Sequence, residues 1–323
     1  MTGAAASLTR PAPEAVASYA RRLVTQAGKA RRRIGAGGDP KALHDFRVAI
    51  RRLRSHLRAY RDCHAVGRKI ERRLRDLAGA TGGGRNAEVA LEWLETARKA
   101  LPDATACDAL VAELARERDA AYADVDTDLG DKWDALAAEL RQRLGRRPAR
   151  PADPGSPPFA SVAAGRLRDH EAKLKERLAR VKTLADQDAA HRARIEAKRL
   201  RYLIEPLRGA LPGAAGAVKA LAAFQDTVGI MHDRQVMIGR LQSALHHAAV
   251  AHADDRLARA VAGRDDDADP VQAGLLALAA TAARERAERF ADLKAGYLAD
   301  GGARLLSPLD GLCAALKGAV TDG

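Results

Sequence analysis

Aromatic side chains are scarce in this sequence, with four Phe, five Tyr and two Trp in 323 residues. With few β-branched residues as well, the chain has little from which to build sheets. Cysteine is rarer still. Cys63, Cys107 and Cys313 are scattered with no C-x-x-C spacing, which argues against a disulfide scaffold or a zinc ribbon and fits a reducing compartment. No uninterrupted apolar run approaches the 18 or so residues of a membrane span. The opening MTGAAASLTRPAP has no apolar core of a signal peptide, so the chain reads as cytoplasmic.

Catalytic signatures are missing too. There is no H-E-x-x-H, no nucleophile motif and no Asp/Glu cluster of the kind that would hold Mg²⁺ for phosphoryl transfer. Thr81-Gly-Gly-Gly-Arg-Asn86 lacks the Gly-Lys-Ser/Thr ending of a P-loop and reads as a connector between helices. His246 and His247 are adjacent and point in different directions, which does not suit a metal. No enzyme activity, cofactor or metal is expected.

What is present is helix former and positive charge. Ala, Leu and Arg are abundant, and with Glu they are strong helix formers. The net charge is +13, with a pI near 10. Residues 21–75 hold 18 Lys and Arg against four acids, and residues 166–208 hold 13 against seven. Such an excess implies an anionic partner without naming it.

The excess is organised. In His44–Arg61, HDFRVAIRRLRSHLRAYR, the helical period puts Phe46, Ile50, Leu53, Leu57 and Tyr60 on one face. His44, Arg47, Arg51, Arg54 and Arg58 form a stripe beside it. Like charges at this spacing cost roughly 0.2–0.5 kcal/mol per pair, so a helix that keeps them has an anion to meet. His191–Arg201, HRARIEAKRLR, repeats the pattern 147 residues later. There His191, Arg194, Lys198, Arg199 and Arg201 match His44, Arg47, Arg51, Arg52 and Arg54. At the same offset Leu221 and Phe224 align with Leu74 and Leu77, and Gly229 with Gly82. A rigid offset held through a loop indicates duplication. Arg33 and Arg180 coincide at this offset, as do Arg85 and His232. These four stand as further candidates for anion contact.

The organisation predicted is a flexible tail over 1–13, a first helical bundle over 14–145, a Pro-rich linker over 146–158 and a second bundle over 159–323. Helices are predicted near 14–34, 40–61, 68–80, 87–100 and 103–144, the last with a break near Gly130. In the second half they fall near 159–185, 191–208, 218–227, 233–255, 271–298 and 309–316. Asp39-Pro40 reads as the start of the second helix, and Asp186 or Asp188 as the cap of the His191 helix. Residues 263–270, GRDDDADP, read as an exposed acidic loop. The simplest architecture is all-α, with two similar antiparallel four-helix bundles related by a pseudo-twofold. If their stripes face each other, they form one basic groove or channel.

Arginine presents a fixed fork of donors that fits phosphate oxygens. His44, Arg47, Arg51 and Arg54 extend along about 15 Å of helix, which suits a linear polyanion. Nucleic acid is the rival ligand. Single-strand binders stack bases on aromatics, and no aromatic recurs on both stripes, since Tyr202 has Ser55 as its counterpart. Glu205, at the place of Arg58, reads as an organiser of arginines. His56 lies on the side away from the stripe.

HDFRVAIRRLRSHLRAYR, HRARIEAKRLRYLIEPL and FQDTVGIMHDRQV resemble the CHAD domain, the conserved-histidine α-helical domain, over nearly the whole chain from about Ala12. The resemblance implies paired four-helix bundles with a basic central channel that binds inorganic polyphosphate, often at polyphosphate granules. It carries the family's basic and histidine positions onto His44, Arg47, Arg51, Arg52 and Arg54, and onto His191, Arg194, Lys198, Arg199 and Arg201. One departure is Arg85-Asn86, where the family usually has Arg-Asp. Nothing resembles the Glu-rich tunnel domain of some members, so their triphosphatase activity is not implied. The expectation is a non-enzymatic polyphosphate-binding protein. Phosphate-backbone binding of nucleic acid is the alternative, and a polyphosphate-processing enzyme or its accessory domain comes behind it. No membrane contact is expected, and no protein partner is named by the sequence.

Overall fold

Helix-forming residues spaced at 3.6 give ten α-helices and no β-sheet among the described residues. The structure is a computed structural model that describes residues 8–35, 41–145, 156–261 and 270–321. The first five helices are α1 (Ala12–Gly35), α2 (Ala42–Ala59), α3 (Arg68–Ala80), α4 (Gly83–Ala97) and α5 (Asp108–Gly145). The others are α6 (Phe159–Ala179), α7 (Gln187–Ile204), α8 (Ala214–Val261), α9 (Pro270–Leu293) and α10 (Ala303–Thr321). No described helix is long and apolar enough to cross a membrane.

By contact the chain falls into two compact units. One comprises Met1–Thr81, Ala123–Asp226 and Lys294–Gly323, and the other Gly82–Tyr122 and Thr227–Leu293. Each draws on both halves of the sequence. Both basic stripes belong to the first unit.

The core of that unit is built from the predicted apolar faces. Phe46, Ile50, Leu53 and Leu57 of α2 are fully buried against Leu23, Val24 and Ala27 of α1, with Leu74 of α3 and Leu136 and Leu140 of α5 in the same cluster. Phe46 meets the Trp133 ring edge-on, with centroids 5.3 Å apart. Burying each such leucine contributes about 1.5–3 kcal/mol, so the apolar face beside the charged stripe fixes how α2 is rotated. α7 touches α2, and α6 packs against both α7 and α10. In the second unit, Trp93, Leu94, Leu114, Met237, Leu241 and Leu278 form a separate core.

The chain departs from the sequence expectation in several places. Residues 8–11 are tied down, because Leu8 is buried and Arg10 and Leu8 carbonyls accept from Phe159 and Ala160 amides. The expected break at 81–86 shrinks to Thr81-Gly82, and α4 begins at Gly83. Gly84 lets Tyr122 approach, since a Cβ there would lie 2.6 Å from the ring. α5 runs unbroken through Gly130, and α8 is one helix of 48 residues where two were expected. One glycine, Gly229, costs such a helix only about 1 kcal/mol. α10 is longer than expected, and a π turn at Lys294–Leu298 precedes it. Asp186 sits at the N-cap position of α7, but its carboxylate turns back to the Lys182 and Thr183 amides at 3.0 and 2.8 Å. Residues 1–7, Asp39-Pro40, 146–155 of the linker and 263–269 of the acidic loop lie outside the described residues.

Candidate functional site

α2 can turn its apolar face inward only by turning Arg51, Arg54 and Arg58 outward. These three arginines line a cavity of about 540 Å³. Lys198 and Arg199 of α7 line it from a second side, and Arg166, His170 and Lys173 of α6 from a third. The cavity lies wholly within the first unit. Seven residues separate Arg51 from Arg58, so the α2 row extends about 10 Å. Ser55, Tyr202 and the carboxylate of Asp169 also line it.

Few of these cations are neutralised. Arg166 pairs with Asp62 at 2.6 Å. Glu196, 1% exposed, accepts from Arg199 at 2.8 Å and pairs with His170 Nδ1. Burial would raise the Glu196 carboxyl, but the hydrogen bond and charge of His170 and the Arg199 guanidinium hold it below the usual range. Arg51, Arg54, Arg58, Lys173 and Lys198 make no ion pair with any described carboxylate.

This crowding shows in the titration of the site. Burial, then Arg194, Arg51, Arg201 and Arg54, push the Lys198 ammonium down to about 8. Burial also lowers Arg54, with Arg58, Arg75, Arg51 and Arg199 acting in the same direction. The cavity is therefore a place where positive charge is held at a cost that a bound anion would relieve.

The remaining candidates sit elsewhere. Arg47 is buried in α2. Arg52 pairs with Glu205 at 2.6 Å, and Arg201 lies 3.8 Å from the same carboxylate and over the Tyr202 ring. Arg194 donates from Nε to the Gln225 carbonyl at 3.0 Å. His44 is exposed and His191 half-buried, and neither lines the cavity. Arg33 bonds Asp45 at 2.8 Å, joining α1 to α2. Arg180 pairs with Glu176 and lines a different cavity with Arg177 and Arg192. Arg85, bonded to Glu88, and His232 belong to the second unit. His56 is buried against the Val16 carbonyl at 3.0 Å.

The repeat could not reveal Arg166, His170 and Lys173. At the 147-residue offset they fall on Tyr19, Leu23 and Gln26. Their signal was the spacing of four and three on a basic helix, with no counterpart in the first half.

A family model for the CHAD domain matches residues 14–242, most of the chain. The chain belongs to the CHAD domain family. Two solved structures share the fold. The CHAD domain from the plant Ricinus communis is 24% identical, with a TM-score of 0.58 over 88% of this chain and 92% of that one. PptA from Streptomyces chartreusis is 18% identical, with a TM-score of 0.60 over 87% and 96%. No curated protein matches the chain. In this CHAD domain no group of three or more His, Cys, Asp or Glu among the described residues is placed to hold a metal ion. Arginine forks and a lysine around a hollow can bind phosphate oxygens from several sides at once.

Proposed function

We propose that this CHAD domain binds inorganic polyphosphate, without processing it, in the cavity between α2, α6 and α7. The observation that carries the reading is the convergence of Arg51, Arg54, Arg58, Lys173 and Lys198, none bonded to a described carboxylate. Family membership supports it. A linear phosphate chain repeats one charge along a thin, flexible backbone and offers no base to stack. The site matches that chemistry, because Tyr202, the one aromatic in its wall, is 7% exposed and presents no free ring face. That favours polyphosphate over single-stranded nucleic acid, whose binders use open aromatic platforms.

The same reading treats residues 14–145 and 159–323 as duplicated repeats related by a pseudo-twofold, each supplying one stripe to a central basic channel. In it His44, Arg47, Arg52, His191, Arg194 and Arg201 support the channel or extend it, and the bound chain docks the protein on polyphosphate granules. Titration calorimetry with long-chain polyphosphate at two salt concentrations tests the proposal. Binding should weaken steeply with salt, and Arg51→Ala/Arg54→Ala/Arg58→Ala/Lys198→Ala should abolish it while the helical circular-dichroism signal persists. Wild-type protein that takes up no polyphosphate, or phosphate released in the presence of Mg²⁺, contradicts it.

A further inference from the structure

α3 presents its own basic row, Arg68, Arg72 and Arg75, spaced by four and three residues along about 10 Å of helix. All three are exposed. They line a second cavity of about 590 Å³, and Arg54 and Arg58 of α2 line it too. Those same two arginines line the cavity between α2, α6 and α7. The two recesses therefore share a wall, and both belong to the first unit.

Arg68 and Arg72 make no ion pair with a described carboxylate. Arg75 bonds the neighbouring Asp76 at 2.9 Å, an exposed pair that water and salt weaken. The acid that lines this cavity, Glu71, is engaged by Arg61, which also lines it. After burial, which lowers Arg54 most, Arg58 and Arg51 of its own helix and Arg75 of α3 lower it further, in keeping with the wall the two recesses share. A solvated charge run would not need to share its hollow with a second row of arginines. The five arginines form a bent track that a flexible chain of charges can follow and a small anion cannot span.

We propose that a phosphate chain seated between α2, α6 and α7 continues over Arg54 and Arg58 onto Arg68, Arg72 and Arg75, a subsite that only long chains reach. This rests on the polyphosphate reading of the first cavity. Each phosphate added along the track gains a contact without a new association step, so α3 sets the preference for chain length.

The test compares wild type with Arg68→Ala/Arg72→Ala/Arg75→Ala, using tripolyphosphate and long-chain polyphosphate as probes. The triple variant should lose about tenfold or more in long-chain affinity. Its log–log salt slope should shrink by roughly 2, at on the order of 0.7 per neutralised phosphate of a single strand. Tripolyphosphate affinity should not move, and the triple Arg→Lys variant should recover most of the loss. Equal losses for both probes, or none for the long chain, would overturn the α3 subsite while leaving the first cavity standing. Wild-type protein that binds neither probe would refute the first cavity and the subsite with it.

Discussion

Arg52 of α2 and Glu205, the residue that follows α7, are bonded across the two charged helices, with Nε 2.6 Å from Oε2 and Nη2 3.2 Å from Oε1. The Glu205 side chain is 8% exposed. From their spacing alone, Glu205 reads as an organiser of arginines and Arg52 as a phosphate contact. The structure bonds the two to each other, so one cation of the pattern ties together the helices that supply Arg51, Arg54, Arg58, Lys198 and Arg199 to the cavity.

Glu205→Gln should therefore weaken the fold. It leaves Arg52 without its counter-charge, and an ion pair with one partner this buried is costly to break from one side. The expected loss is about 1–3 kcal/mol, reduced from the fully buried case because Arg52 is partly exposed. Urea unfolding measures it, and an unchanged midpoint would count against the bridge.

Binding should take up a proton above pH 8. Burial and then the surrounding arginines bring Lys198 down to about 8, from an ordinary 10.5. Bound phosphate favours the charged form and raises it again. Affinity should then be flat below pH 8 and fall above it, by at most about tenfold per pH unit for one proton. Calorimetry at pH 8.5 in two buffers of different ionisation enthalpy reads the proton directly. Lys198→Arg should remove it.

A further negative charge set within the arginine row of α2 should weaken binding. Ser55 lies between Arg54 and Arg58 in the cavity wall and is half-buried. Ser55→Glu keeps a good helix former and places a carboxylate among the arginines. It should reduce polyphosphate affinity at least tenfold, with little change in stability. Ser55→Ala should bind like wild type.

His56 predicts how stability itself follows pH. Burial, ahead of the other influences, holds it down to about 4, against 6.5 unfolded. The unfolded chain takes up this proton first as pH falls, so stability is full above 6.5 and declines toward 4, by on the order of 3 kcal/mol. His64, also lowered by burial, adds a slope of the same sign. In His56→Gln the decline between pH 6.5 and 4 should shrink, as read by denaturant midpoints.

Much of the helical layout was legible because periodicity is local. Phe46, Ile50, Leu53 and Leu57 name the buried face of α2, and the charged face follows from it. The duplicated pattern pointed to two stripes, and α2 and α7 do touch. Sequence could not say which arginines are neutralised, because that depends on acids distant in the chain. Asp62 meets Arg166 and Glu205 meets Arg52, 104 and 153 residues away. Nor could it bring α6 to the site, since Arg166, His170 and Lys173 have no partners in the repeat. The helix breaks were misplaced where a glycine signal was weaker than the helix around it, as at Gly130 and Gly229.

The most direct measurement of the central claim is competition for the cavity. Fluorescently labelled long-chain polyphosphate is bound to the protein at near-physiological salt and challenged with unlabelled single-stranded DNA or polyphosphate, matched in phosphate content. Polyphosphate should displace the label at concentrations at least tenfold below those DNA requires, and Ser55→Glu should hold the label at least tenfold more weakly. Displacement by DNA as readily as by polyphosphate would contradict the account and make the cavity a general nucleic-acid backbone site.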